Sequence, residues 1–430
     1  MDRNDALYCN SHELTVAESV AESPVNDRKE TQLSDTQQKR AIVASFLVIF
    51  AFCSTDSAIS PMVREIGHHF GVPMNEVLHL ISACTTGIIG GVLIGPTLTA
   101  SCNVARLLTL CTIGLVVSLA GFLLSGKLFL ALVFRFVFGV SSGVFASCMW
   151  WMTYYGVSKD YYPAMVTVLM SARPLATAIG VPLAGIIATK SSWQAPFVLF
   201  GLCIFVFGAL LALEVGRMDR ESKKGLTLTR LFSDYVNAFR VPNAATFYVG
   251  LTINRMCYFG FYSVSGIWFI EHYELTLLTI SSALFFIGLG EALVNFVVPK
   301  LIRLVGDKRL FLGSLVISGI LFPAFISGRL ELKITVALIT VFMILDRIYS
   351  TTLIIALPRI FPTAENKTVF GSLNTLTAWV GLTAITSIAA EMIKIGELAP
   401  VQHLLTICFL VGSTLLYLVQ RRALPLSSAS

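Results

Sequence analysis

Twelve long, predominantly apolar stretches leave this chain very few ways to fold. They run over residues 41–62, 78–98, 105–125, 128–157, 163–189, 195–214, 244–270, 276–299, 309–327, 334–357, 368–393 and 401–420. About 20 apolar residues at a rise of about 1.5 Å each cross the hydrocarbon core of a bilayer. Lipid supplies no hydrogen-bond partners, so segments of this length and hydropathy satisfy their backbone as helices. Only 13% of the residues are charged and mean hydropathy is +0.78, whereas a soluble domain carries about 25% charged residues. The expected fold class is therefore an all-α membrane protein of twelve transmembrane helices in two six-helix halves, with the lipid bilayer as its main partner.

An even number of spans puts both termini on one face. With the termini taken as cytoplasmic, 21 Lys and Arg lie in cytoplasmic segments, six lie in outer loops and four lie within spans. This positive-inside bias predicts cytoplasmic termini in an inner, cytoplasmic membrane. It also accounts for the net charge of +6 without nucleic acid. The expected organisation is a disordered cytoplasmic tail over 1–40, a six-helix bundle over 41–214, a cytoplasmic linker over 215–243, a second bundle over 244–420 and a short tail over 421–430. Residues 1–40 are polar, and the apolar run after them is too long for the core of a cleaved signal. Within the linker, RMDRESKKG (217–225) precedes TRLFSDYVNAFR (229–240), which has the pattern of a surface amphipathic helix presenting Leu231, Phe232, Tyr235 and Phe239.

Several motifs carry a resemblance. Span one reads STDSAISPMVREIGHHFGVP (54–73), an acid inside a helix followed by a proline near its end. Span four contains RFVFGVSSG (135–143), and span five contains ARPLATAIGVPLAG (172–185) followed by SSWQAPF (191–197). These segments resemble the major facilitator superfamily, in particular its bacterial twelve-helix drug and sugar efflux branch, and the likeness extends over residues 41–420. The loop GPTLTASCNVAR (95–106) keeps Gly95 and Arg106 but lacks the family's acid, while PKLIRLVGDKR (299–309) retains Gly306, Asp307, Lys308 and Arg309. The resemblance implies conformational roles for Gly139, Gly143, Pro174, Gly180, Pro182, Gly185, Gly306 and Asp307.

Seven ionisable residues lie well inside the spans: Asp56, Arg135, Arg173, Arg255, Glu291, Asp346 and Arg347. A charge at the centre of a span costs about 2.5–3.5 kcal/mol on insertion scales, so such residues face a wet cavity or pair with one another. Asp56, Arg135, Glu291 and Asp346 are the candidates for proton coupling. For Asp56 and Arg135 the competing reading is a structural ion pair between them. For Glu291 it is a pair with Arg255. Arg173, Asn254, Arg255, Tyr258 and Arg347 are the candidates for substrate binding. Neighbours on a helix are about 100° apart, so Asp346 and Arg347 are expected not to face each other. Trp150, Trp151, Tyr154, Tyr155 and Trp268 read as interfacial aromatic belts. The cysteines read as small buried hydrophobes, and His68, His69 and His79 lack a second ligand cluster, so no metal site is expected.

These features predict a monomeric secondary active transporter and not an enzyme. It would move a small-molecule substrate by alternating access between its halves. No GxxxxGK[ST] loop is present, so ATP is not the expected driver; the resemblance implies protons as the energy source, and no cofactor is expected. The resemblance points to proton-coupled efflux of a drug-like compound, an anionic metabolite or a siderophore. Four intramembrane arginines leave uptake of an anionic nutrient as an alternative. A non-transporting sensor or scaffold on the same fold is a third.

Overall fold

The computed structural model describes residues 33–59, 62–72, 74–77, 79–216, 228–275, 277–361, 367–394 and 398–423. Twelve long helices account for most of them: α1 Asp35–Ser57, α2 His79–Ser101, α3 Val104–Leu124, α4 Leu128–Gly156, α5 Tyr162–Lys190 and α6 Ala195–Gly216. They continue as α7 Ala244–Tyr273, α8 Leu277–Val305, α9 Asp307–Ile326, α10 Leu332–Ile360, α11 Lys367–Lys394 and α12 Ala399–Ala423. Among the described residues there is no strand, and eleven of these helices are long and apolar enough to cross a membrane. The other, α7, has 30 residues; its Asn254, Arg255 and tyrosines lower its hydropathy. The protein is thus an all-α, multi-pass membrane protein. The expected tail lies outside the described residues up to residue 32, as does the linker segment 217–227. Helix α1 begins six residues before its apolar run, because Ser34 and Gln37 form a reciprocal capping box there.

Buried side chains group into two large cores. One is built from α1 to α6 with Trp379 of α11 added; the other is built from α7 to α12 and the linker residue Ala238. Helices α2 and α4 approach backbone to backbone. A Cβ on Gly139 would sit 2.0 Å from the Cys84 carbonyl oxygen, and one on Gly143 would sit 2.4 Å from that of Ile88. This is the small-residue packing that lets membrane helices gain dispersion contacts without a hydrophobic driving force. In α5 a π turn, Ala176–Gly180, separates Pro174 from Pro182. The wider turn absorbs the backbone mismatch of two prolines. It presses Gly180 onto Ser54 of α1 and Ala178 onto Gly288 of α8. Gly185, by contrast, has no atom within 4 Å of a built Cβ.

The face bearing both described ends is stitched by polar contacts. Tyr161 donates to Asp35, and the Ser158 amide donates to Gln38 at 2.9 Å. In the second core, Gly306 takes φ +84° to turn the chain into α9, and Asp307 pairs with Arg359 at the end of α10 at 2.8 Å. The corresponding loop of the first core has no acid; Asn103 caps α3 there by accepting from the Arg106 amide.

The linker helix Leu228–Arg240 forms where the amphipathic pattern predicts it. Tyr235 reaches α2 and donates to the carbonyls of Val92 and Leu93 at 3.1 and 2.9 Å. The reason lies in α2 itself. Pro96 has no N–H, so the Val92 carbonyl four residues earlier loses its helical partner, and the Tyr235 hydroxyl supplies one. Phe239 meanwhile packs edge-on against Tyr248 of α7, so this helix spans both cores. The contributions of Leu231 and Phe232 lie outside the described side chains.

Two substitutions test these contacts by thermal unfolding of the purified protein. Gly139→Ala is expected to lower stability by about 1–3 kcal/mol through overpacking against a rigid backbone, while Gly185→Ala leaves it unchanged. Tyr235→Phe is expected to cost about 1–3 kcal/mol by stranding the Val92 carbonyl; an unchanged midpoint would show that water replaces the hydroxyl.

Candidate functional site

A cavity of about 330 Å³ lies between the two cores. Its walls are largely apolar, including Ile49, Phe52, Ile88, Leu169, Met170 and Leu382. Into this surface project Arg173 from α5, Arg255, Tyr258 and Tyr262 from α7, Glu291 from α8, Arg347 from α10, and Asn374 and Thr375 from α11.

On the first core's side, Asp56 is the hub. Arg135, fully buried, donates to its Oδ1 at 2.9 Å, and Arg173 lies 4.0 Å from Oδ2. The Arg135 guanidinium also lies over the Phe138 ring at 5.2 Å, and that of Arg173 lies over Trp379 at 4.3 Å. The expected Asp56–Arg135 pair is therefore present, and Arg173 connects it to the cavity. Neither Asp56 nor Arg135 lines the cavity.

On the second core's side the network centres on Arg347. It pairs with Glu291 of α8 at 2.9 Å and with its own neighbour Asp346 at 2.7 Å, and it lies over the Tyr258 ring at 4.3 Å. Tyr258 and Tyr262 both donate to Glu291. Two expectations are corrected here. Glu291 pairs with Arg347 and not with Arg255. Asp346 and Arg347 do bond to each other: although their Cβ atoms diverge, the long arginine side chain folds back far enough to reach its neighbour. Asp346 is further held by Tyr349 at 2.5 Å. Asn254, expected to face substrate, turns away from the cavity. It donates to Ser413 of α12 and accepts from Tyr349, and Gly412 makes room for this close α7–α12 approach.

Arg255 differs from the other three arginines. It has no carboxylate within ion-pair distance among the described residues, and its one side-chain partner is Asn374 Oδ1, at 3.5 Å. Its Nε has no partner, although the residue is only 6% exposed.

The cavity is closed on the face that carries the described termini. Trp150 donates to Thr375 at 2.8 Å, Ser372 to Ser147 at 3.1 Å, and Tyr162 to the Ile354 carbonyl at 3.3 Å, each bond joining the two cores. Gly371 lies flat against the Trp150 ring. Trp150 and Trp151 are buried, so the expected aromatic belt at the end of α4 is corrected: Trp150 is part of the seam. Trp268 is likewise fully buried, donating to the Ile326 carbonyl and stacking on His272. Sequence reasoning missed Asn374, Thr375 and Trp379. The available signal was SLNTLTAW (372–379), a polar stripe ending in an aromatic residue inside an apolar span.

The Major Facilitator Superfamily family model matches residues 45–385. An uncharacterized MFS-type transporter of Bacillus subtilis (strain 168), YceJ, is 22% identical over 213 residues, 48% of this chain. The match spans 54% of that relative's length. Among solved structures, the human organic anion transporter MFSD10 superposes with a TM-score of 0.69 at 14% identity, covering 88% of this chain and 99% of that one. A bacterial homologue of the iron transporter ferroportin, in an outward-facing state, gives 0.71 at 11% identity, covering 90% and 100%. The proton:xylose symporter XylE gives 0.66 at 13% identity, covering 89% and 94%. At these identities the structures establish a common fold alone. The family match covers most of the chain: this chain belongs to the major facilitator superfamily.

Proposed function

We propose that the protein carries a small organic anion across the inner membrane by alternating access of its two six-helix halves, coupled to protons. The observation that carries this reading is the cavity's charge. Three arginines line it against a single carboxylate, and one of them, Arg255, lacks an acidic partner. An exporter of cationic drugs would be hindered by such a surface, because like charges in a low-dielectric site repel strongly. The fold's likeness to an organic anion transporter is consistent with this.

The bias of basic residues supports cytoplasmic termini, so the closed seam of Trp150, Thr375, Ser147 and Ser372 would face the cytoplasm and the cavity would belong to an outward-directed state. Monomers suffice for such a cycle, since both walls of the cavity come from one chain.

The Glu291 network supports a coupling direction. A proton on Glu291 would remove one of Arg347's two counter-charges and leave that guanidinium, still paired with Asp346, able to attract an anion in the cavity. Anion affinity would rise, and by linkage the bound anion would raise proton affinity equally. Proton and anion then travel together, as symport, which favours uptake. Asp56 would act in parallel by releasing Arg173. Export in exchange for protons remains the second reading, supported by the acid of α1 and the glycine- and proline-rich α5, which resemble the antiporter branch.

Proteoliposomes separate these readings. Symport predicts that an inward acid gradient accelerates organic-anion uptake and that an uncoupler removes the acceleration. Glu291→Gln should abolish the gradient's effect while leaving anion exchange measurable. Full gradient-driven uptake by Glu291→Gln would overturn the coupling site. Anion leaving preloaded vesicles in response to the same gradient would establish antiport instead.

A further inference from the structure

The charges in the middle of the spans do not balance. Among the described residues, the buried Arg135, Arg255 and Arg347 and the partly exposed Arg173 stand at mid-span against Asp56, Glu291 and Asp346, so one positive charge is left over; the other buried acid, Glu214, lies at the end of α6 and pairs with Arg40. The geometry shows which residue holds it. Arg347 is satisfied by two carboxylates, and Arg135 and Arg173 share Asp56. Arg255 has only the Asn374 amide oxygen at 3.5 Å, and its Nε is buried without a partner. Arg135 also has unpartnered nitrogens, but it does not line the cavity. Arg255 does, and so does Asn374. A guanidinium in such a setting favours an anion able to take two of its N–H groups at once.

We infer that the cavity binds one monoanion with an apolar body at a time, its headgroup held by Arg255 and Asn374. This rests on the reading of the protein as an organic-anion carrier and specifies its substrate. With Asp56, Glu291 and Asp346 ionised, as in their pairs here and before any coupled proton is taken up, one negative charge brings the mid-span set to neutrality. A second would recreate the cost of an unpaired charge with the opposite sign. A carboxylate or sulfonate headgroup meets the same requirement. The body faces Ile49, Phe52, Ile88, Leu169, Met170 and Leu382, in a volume of about 330 Å³. The walls are poorly suited to a neutral polyol, because most of their hydroxyl protons are committed: Tyr258 and Tyr262 donate to Glu291, Ser142 to the Phe138 carbonyl and Thr177 to the Arg173 carbonyl. The headgroup site also adjoins the seam, since Asn374 precedes Thr375 in the chain.

Binding of three probes to the full-length protein in nanodiscs, measured by calorimetry, tests the assignment. Phenylbutyrate supplies one carboxylate, phenylsuccinate two, and phenylbutyramide none. Phenylbutyrate should bind at least about tenfold more tightly than either of the others. Arg255→Gln should lower its affinity at least about tenfold, Arg255→Lys by less, and Asn374→Ala by an intermediate factor, with phenylbutyramide binding unchanged in all three. Thermal midpoints confirm that each variant is folded, and Asn374→Ala and Arg255→Lys keep the test decisive if Arg255→Gln does not fold. The assignment is overturned if phenylsuccinate binds best, if neither carboxylate binds, or if phenylbutyrate affinity is unchanged in the Arg255 and Asn374 variants. If affinity is unchanged in Arg255→Gln while phenylbutyrate flux through its proteoliposomes persists, the headgroup site is rejected and the carrier reading stands. If binding shows the expected charge selectivity but the parent protein gives no flux in either direction, the carrier reading fails and the site stands.

Discussion

An ionised side chain inside hydrocarbon needs a counter-charge, hydrogen bonds or water, and this requirement organises the interior of the protein. Asp56 draws Arg135 and Arg173 together, so that α1, α4 and α5 meet at one carboxylate. Arg347 gathers Glu291 and Asp346 and, through Glu291, the hydroxyls of Tyr258 and Tyr262. The two networks approach the same cavity from opposite cores. Truncating Arg347 would strip both Glu291 and Asp346 of their counter-charge, a loss of about 3–5 kcal/mol by analogy with other buried pairs, and truncating Arg135 would leave Asp56 only its 4.0 Å contact with Arg173. The networks are therefore structural whatever their part in transport, and a coupling role adds to that duty.

Much of this was legible in the sequence because the bilayer is a simple solvent. Apolar runs of sufficient length had to be helices, and every long helix coincides with a predicted span to within several residues. The membrane-embedded charges stood out for the same reason. Pairing was less legible, because it depends on which helices neighbour each other and on how far a side chain can bend. Asp346 and Arg347 show this directly: their separation around the helix argues against contact, yet the arginine's length overrides it. Asn254 and Arg255 are adjacent, but Asn254 turns to Ser413 and Tyr349 while Arg255 turns to the cavity. Trp150 and Trp268 have the composition and position of belt residues, and only packing assigns them to the interior.

Proline and glycine link the local backbone to the larger architecture. Pro96 strands a carbonyl in α2, and Tyr235 of the linker satisfies it. The helix between the two cores is thereby tied to a defect in one of them. Pro174 and Pro182 flank the π turn that lets α5 touch both α1 and α8. Glycines at the α2–α4 contact, and at Gly371 beside Trp150, bring surfaces closer than any larger residue permits. These contacts give the first core rigidity and close one face tightly around a cavity whose walls come from both cores.

The central claim is that Arg255 faces a water-accessible cavity and carries the charge that receives the substrate. Thiol labelling tests it most directly. With the native cysteines replaced, Arg255→Cys should react with a charged, membrane-impermeant methanethiosulfonate applied to the face opposite the termini, and an organic monoanion should slow that reaction. An Arg255→Cys protein that is folded yet inert to the reagent from that face would contradict the account.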